Sequence, residues 1–207
     1  MRAGRLYTVQ TVQLQGCFSV SAKPQIRASS RERILDAAAE LVRELGSGHL
    51  TLDAVAERAG LSKGGLLYNF PSKDALLQGM LERLIAEVTT HRAGLRASRK
   101  DARNLEAWLS VTASLETRCG DMKAVANGLL AASAENPRLL EPARQAIKND
   151  WERLKATSAD RPAAMLAWLA VEGLSSLEMH DLSPVTKQDR KEIGVALYRL
   201  LEKGISE

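Results

Sequence analysis

Cysteine is scarce in this chain. Only Cys17 and Cys119 occur among 207 residues, far apart and without metal-ligand spacing. That excludes a disulfide framework, and both are read as free thiols of a reducing cytoplasm. Histidine is nearly as sparse, with three in the chain, and His91 and His180 show no ligand spacing, so neither a metal nor a cofactor is expected. No apolar run approaches the roughly 18–20 residues needed to cross a bilayer, and no secretory hydrophobic region stands near the start, so no membrane partner is expected. Aromatic residues make up 4% of the chain, too few for an evident large aromatic cage. The enzyme motifs H-E-x-x-H, G-x-S-x-G and G-x-G-x-x-G after a strand are all missing. The run Gly60-Leu61-Ser62-Lys63-Gly64-Gly65 superficially resembles a phosphate loop, but it fails the required order and follows no strand. Alternation of the β type is absent beyond the first residues, and there is no internal repeat or low-complexity tract. No enzyme is expected.

What is present is a helical pattern with uneven charge. Hydrophobic residues are 45% and charged residues 26%, enough to bury a core without disulfides. The net charge of +4 and pI of 9.2 are weak indicators alone. Their distribution says more: residues 1–34 hold Arg2, Arg5, Lys23, Arg27, Arg31 and Arg33 against Glu32 alone. A basic arm entering a first helix suits a polyanion such as a phosphate backbone; the competing reading is a solvated tail. Residues 1–28 lack helical period and contain Pro24, and a disordered basic leader is expected there. Val20 precedes Ser-Ala-Lys-Pro, and bacteria can initiate at GTG, so a native start at Val20 in place of Met1 is a further expectation.

From Ser29 onward the spacing predicts helix almost throughout. Ser29 and Glu32 form a capping-box pattern, and Ile34, Leu35, Ala38, Leu41, Val42 and Leu45 recur at helical spacing until Gly46 and Gly48. Thr51 caps a short helix, Gly60 and Leu61 make a turn, and Ser62 caps a second short helix ending at Phe70. Pro71 and Ser72 then open a long helix. Further helices are expected over roughly 102–118, 122–134, 137–157, 161–181 and 186–205, with Thr186 and Asp189 as another capping box. The fold class is all-α, an N-terminal three-helix head on a C-terminal helical bundle, about nine helices in all. The divisions are a leader 1–28, a head 29–75 and a body 76–207.

The stretch Thr51–Lys73, TLDAVAERAGLSKGGLLYNFPSK, carries the functional signal. Two short helices joined by a tight glycine turn form a helix-turn-helix. Ala56 and Ala59 are small enough for a close helix crossing, Gly60 permits a positive φ, and Leu61 plugs the core behind the turn. Leu66 and Phe70 face inward at i, i+4. The outward face of the second helix then holds Ser62, Lys63, Gly64, Leu67, Tyr68 and Asn69, small, basic or hydrogen-bonding groups that suit a major groove. Glycines 64 and 65 in a first turn each cost about 1 kcal/mol against Ala, which close approach to DNA would justify. The plain alternatives are Ser62 as an N-cap only and Lys63 as a solvated charge.

This segment resembles the TetR family pattern T-x-x-x-[IV]-A-x-x-A-G-[VL]-S-K-G-x-L-Y-x-x-F-x-S-K-x-x-L. Thr51, Val55, Ala56, Ala59, Gly60, Leu61, Ser62, Lys63, Gly64, Leu66, Phe70, Ser72, Lys73 and Leu76 fall in register, and RERILDAAAELVRELG at 31–46 is similar to the family's first helix. The resemblance is strong over about 31–81. It implies a cytoplasmic, nucleoid-associated homodimer that represses transcription from a palindromic operator in double-stranded DNA and is released by an unknown small-molecule effector. It also implies that Thr51 and Lys73 touch phosphates while Ser62, Lys63 and Gly64 lie at the groove. The family's usual Tyr falls at Leu67, with Tyr68 one place later, about 100° around the helix; Leu67 is free to meet a thymine methyl, and Gly65 stands where a Thr is common. An activator without effector release, or a helical interaction module, are the alternatives.

The body is less legible. The segment 163–179, with Met165, Leu166, Trp168, Leu169, Val171, Leu174 and Leu177, is apolar almost all round, which predicts burial on more than one side. With the stripe Ile193, Ala196, Leu197, Leu200 and Leu201 it could pair with a symmetry mate. Trp108, Met122, Trp151, Met165, Trp168 and Glu172 are candidates for an effector pocket; each apolar one taken singly reads first as core and needs no other explanation. Glu172 and Glu178 sit on a mostly apolar helix and could face a ligand cation or water.

Overall fold

The computed structural model describes residues 29–99, 103–116, 120–134 and 136–205. The basic leader, Cys17, Cys119 and the alternative start at Val20 lie outside the described residues. Among the described residues nine α-helices follow in order: α1 Ser30–Leu45, α2 Leu52–Ala59, α3 Lys63–Asn69, α4 Lys73–Ser98, α5 Leu105–Glu116, α6 Gly120–Ser133, α7 Glu141–Thr157, α8 Arg161–Met179 and α9 Lys187–Lys203. Two 3-10 turns, Ser47–His49 and Pro137–Leu140, join them, and no strand occurs among the described residues.

The helix starts follow local chemistry. The side chains of Ser29, Thr51, Ser62, Ser72, Asp160 and Thr186 each accept a hydrogen bond from a backbone N–H of the first turn of the helix that follows. The box at Thr186 and Asp189 is reciprocal. The one read at Ser29 is half made: Ser29 receives the N–H of Glu32, but the Glu32 carboxylate turns to Arg83, 3.9 Å away. Gly60 ends α2 with φ +64°, and its N–H together with that of Leu61 closes on α2 carbonyls, which makes the turn sharp.

Helices α1, α2 and α3 close around Ile34, Leu35, Leu41, Val55, Ala56, Leu66 and Phe70. The same apolar cluster takes in Leu76, Leu77, Met80 and Leu81 of α4, then Leu129 of α6 and Leu139 of the second 3-10 turn. The head's core therefore continues without a gap into the elements behind it. A second cluster joins α5, α7, α8 and α9 through Ala107, Val111, Leu154, Ala164, Ala167, Val171, Leu197 and Leu201. Helix α4, 26 residues and thus about 39 Å long, packs against α1 at one end and against α5 and α7 further along.

Two arginines that the sequence placed in the basic arm are used internally. Arg33 donates to the carbonyls of Ala59 (2.6 Å) and Gly60 (3.4 Å), closing the C-terminal end of α2. Arg31 pairs with Glu82 (3.3 Å) and lies over the Phe70 ring, 5.2 Å from its centroid. Arg58 adds a two-pronged clasp from α2 to Glu44 of α1 (2.8 and 3.1 Å). Arg190, buried, pairs with Glu178 and donates to the Ser114 carbonyl (2.8 Å) at the end of α5. Glu178 is thus a structural partner.

Phe70 is seated by an absence. A Cβ on Gly79 would lie 2.6 Å from Phe70 Cε1, whereas one on Gly94 in the same helix would meet nothing within 4 Å. Alanine should therefore act in opposite directions at these two positions. Gly94→Ala gains helix propensity, up to about 1 kcal/mol. Gly79→Ala overpacks the seat of Phe70 by about 1–3 kcal/mol. Thermal unfolding should show Tm rising for Gly94→Ala and falling for Gly79→Ala.

Candidate functional site

The second helix of the helix-turn-helix, α3, has seven residues, too few to hold its shape unaided. Leu66, fully buried, and Phe70, nearly so, pin one side of it to the head. The opposite side is then forced outward. Ser62, Lys63, Gly64, Leu67 and Tyr68 are all exposed, as are Thr51 at the start of α2 and Lys73 at the start of α4. Tyr68 is 91% exposed, far more than an aromatic ring that stabilises the fold would be.

The details refine the sequence reading. Ser62 Oγ accepts the Gly65 N–H at 3.1 Å, so its hydroxyl caps the helix and keeps its own proton for an outside acceptor. A Cβ on Gly65 would lie 3.3 Å from that Oγ, so Gly65 protects the cap, whereas a Cβ on Gly64 would meet nothing within 4 Å. Of the two glycines, Gly64 alone leaves open space on the outer surface. Asn69 differs from the other outward residues. It is half-buried, donates to the Gly65 carbonyl (2.9 Å) and accepts from Ser30 Oγ (3.3 Å), tying the end of α3 to α1.

Lys63 has a neighbour that spacing did not reveal. Its ammonium reaches both carboxylate oxygens of Asp53, at 2.8 and 3.1 Å. Asp53 follows the Thr51 cap in α2, ten positions earlier, and only the turn brings the two together. Both side chains are well exposed, so water screens the pair and a phosphate can compete for the lysine. Lys73 is exposed and has no ion-pair partner among the described residues.

A second arrangement lies in the body. Helix α8 has three faces. Ala163, Ala164, Ala167, Val171 and Leu174 are buried; Leu166, Leu169, Ala170, Gly173 and Leu177 are exposed; Met165, Trp168, Glu172, Ser175 and Met179 are half-buried between them. The exposed stripe has α9 beside it, with Val195 and Ala196 exposed as well. On the half-buried face, Trp168 meets Trp151 of α7, ring centroids 5.2 Å apart and planes tilted by 54°. One turn along α8 from Trp168 stands Glu172, whose pKa is raised by burial, with Arg92 opposing and Asp150 adding to the rise. Arg92 of α4 and Asp150 of α7 form an ion pair.

Of the candidate pocket residues, the fold thus groups Trp151, Met165, Trp168 and Glu172. Trp108 is turned elsewhere: its ring lies 6.2 Å from that of Tyr198 on α9 and beneath the Arg99 guanidinium at 4.8 Å. The side chain of Met122 lies outside the described residues. His91 is not a ligand in waiting; its Nε2 is 3.2 Å from a Glu116 oxygen. Among the described residues no group of three metal-capable side chains occurs, and no helix is long and apolar enough to cross a membrane.

Known proteins match both halves. Residues 34–80 match the family model of bacterial regulatory proteins of the tetR family, and residues 102–202 match the tetracyclin repressor-like C-terminal domain. The HTH-type transcriptional regulator RutR of Escherichia coli K12 is 35% identical over 94 residues, which is 45% of this chain and 43% of that protein. The match therefore spans less than half the length of this curated relative. A transcriptional regulator from Rhodococcus sp. Rha1 shares the fold with a TM-score of 0.64 at 18% identity, covering 84% of this chain and 96% of the other. The multidrug binding protein EbrR, complexed with imidazole, does so with a TM-score of 0.56 at 23% identity, over 86% and 96%. The family consists of DNA-binding regulators with a helix-turn-helix head, and it is not a family of enzymes. With one model covering the reading head and another the bundle behind it, this chain belongs to the TetR family of transcriptional regulators.

Proposed function

We propose that the protein is a homodimeric repressor that grips a palindromic operator in the major groove through α3 and lets go when a small molecule enters the body. The observation that carries the DNA-binding half is the outward face of α3, with its exposed tyrosine, open glycine and a lysine held only by a screened surface carboxylate. Thr51, Ser62 and Lys73 flank that face as hydrogen-bond donors to phosphate, and Leu67 and Tyr68 reach toward base edges. Asn69 acts by fixing the end of α3. Asp53 is the resting partner of Lys63, and a phosphate displaces it at little cost because the pair is exposed and screened.

The dimer is proposed to form on the exposed stripe of α8, Leu166, Leu169, Ala170, Gly173 and Leu177, with Val195 and Ala196 of α9 beside it. Such a continuous apolar stripe is unlike a wet helix face. A two-fold pair built on it carries two reading heads, and a functional pair sets them about 34–36 Å apart, one turn of DNA. Effector release works through α4. Its first turns belong to the head's core, while Arg92 near its other end is tied to α7. A ligand seated against Trp151, Met165, Trp168 and Glu172 that pulls on Arg92 moves a lever whose other end carries α3. It releases DNA only to the extent that it binds the DNA-incompetent spacing better. EbrR, with imidazole bound, supports a small-molecule site in this fold.

A gel shift with the intergenic DNA beside the protein's own gene, followed by footprinting, tests the proposal; absence of any protected sequence overturns it. Lys63→Ala and Lys73→Ala should each weaken operator binding and flatten the slope of log K against log salt by about one unit, with dimerisation unchanged. Unchanged affinity in both would remove α3 as the reading helix. Leu169→Glu should shift sedimentation equilibrium from dimer to monomer and reduce operator affinity, while circular dichroism keeps the helical signal.

A further inference from the structure

Glu172 is an unusual residue to find where it stands. A carboxylate partly withdrawn from water, as the half-buried Glu172 is, is normally paired or hydrogen-bonded. Glu172 has neither kind of partner among the described residues. The nearest cation, Arg92, is taken by Asp150. Arg92, Asp150 and Glu172 together carry one uncompensated negative charge. Trp168 stands one helical turn away on the same face of α8, and Trp151 packs against Trp168. Two donors in this cluster, Trp168 Nε1 and Arg92 Nε, are buried and unpartnered. Both tryptophans and Glu172 remain half-buried, so the cluster keeps an approach from solvent.

We infer that Glu172, Trp168 and Trp151 form the recognition subsite for an organic ammonium ion that also carries an oxygen acceptor. The inference rests on the effector site proposed above and names its ligand class. Each part of the ligand answers one unmet need. The cation supplies the charge Glu172 lacks and lies against electron-rich indole faces, which favour ammonium groups strongly when water is excluded. The oxygen accepts from the orphaned indole N–H. Arg92 does not repel such a ligand, because Asp150 neutralises it. A neutral molecule of the same shape covers the carboxylate and leaves it unpaired, so the site discriminates by charge. Burial raises the Glu172 pKa and disfavours its charged form, so the fold loses nothing when glutamine stands there, and a fall in stability would mark a structural role.

Choline chloride is the probe, with tetramethylammonium chloride as the simpler cation and 3,3-dimethylbutan-1-ol as the uncharged isostere of choline. Binding is read by tryptophan fluorescence in a Trp108→Phe background, which leaves Trp151 and Trp168 as reporters, and by calorimetry on the unmodified protein. The expected result is saturable binding of both cations, none of the alcohol, and at least tenfold weaker binding in Glu172→Gln with Tm equal to or above that of the parent. Equal binding of the alcohol, an unchanged response in Glu172→Gln, or no binding of either cation up to decimolar concentration overturns the inference. A Glu172→Gln protein with lowered Tm and intact cation binding assigns Glu172 to the fold and also overturns it. No DNA enters these titrations, so their failure leaves operator binding to be judged by the gel shift alone.

Discussion

Everything the head does depends on how a seven-residue helix is held. Such a helix has no stability of its own, because nucleation is unfavourable and too few hydrogen bonds follow it. Leu66 and Phe70 hold α3 by one side, and Phe70 is seated where α4 has no side chain at Gly79. Arg31 covers the same ring from α1, and Asn69 ties the helix end to Ser30. With that side committed, the pitch of the helix leaves Ser62, Lys63, Gly64, Leu67 and Tyr68 no place but the surface. The reading face is thus a consequence of burial on the other side.

The same seat links the head to the rest of the molecule. Phe70 rests on α4, and Arg92 toward the far end of that 26-residue helix is paired with Asp150. The head's apolar cluster also includes Leu129 and Leu139 from later elements. Close-packed cores do not deform continuously, and the head shares one such core with the first turns of α4. Helix α4 thus belongs to the head's apolar core at one end and is tied to α7 by an ion pair toward the other.

Helix α8 shows how one segment serves three surroundings. Small residues on its core face allow close approach to α5, leucines on its outer face remain uncovered in the single chain, and the side toward α7 mixes rings with a carboxylate. A half-buried carboxylate without an ion-pair partner opposes folding, and Glu172 stands in that position one turn from Trp168. Glu178 differs, since Arg190 answers its charge directly.

Much of the head was legible because its information is local. Caps at Ser29, Thr51, Ser62, Ser72 and Thr186 need only a side chain and the next three residues, and helical spacing alone separates Leu66 and Phe70 from Lys63 and Tyr68. The resemblance over 31–81 added the DNA role to that pattern. What remained hidden involves residues distant in sequence. Asp53 beside Lys63, Arg33 closing α2, Phe70 over Gly79 and Asn69 against Ser30 exist only once turns and crossings set the distances. In the body, an all-round apolar helix has no periodicity from which to choose faces. Composition could name Trp108, Trp151, Met165, Trp168 and Glu172, but only packing could turn Trp108 toward Tyr198 and leave the others together. The sequence by itself determined the helices, their caps and the outward side of α3, because hydrogen-bond geometry and periodicity act over a few residues. The tertiary structure alone decided which charges meet and which rings share a site, because those depend on how helices far apart in the chain cross.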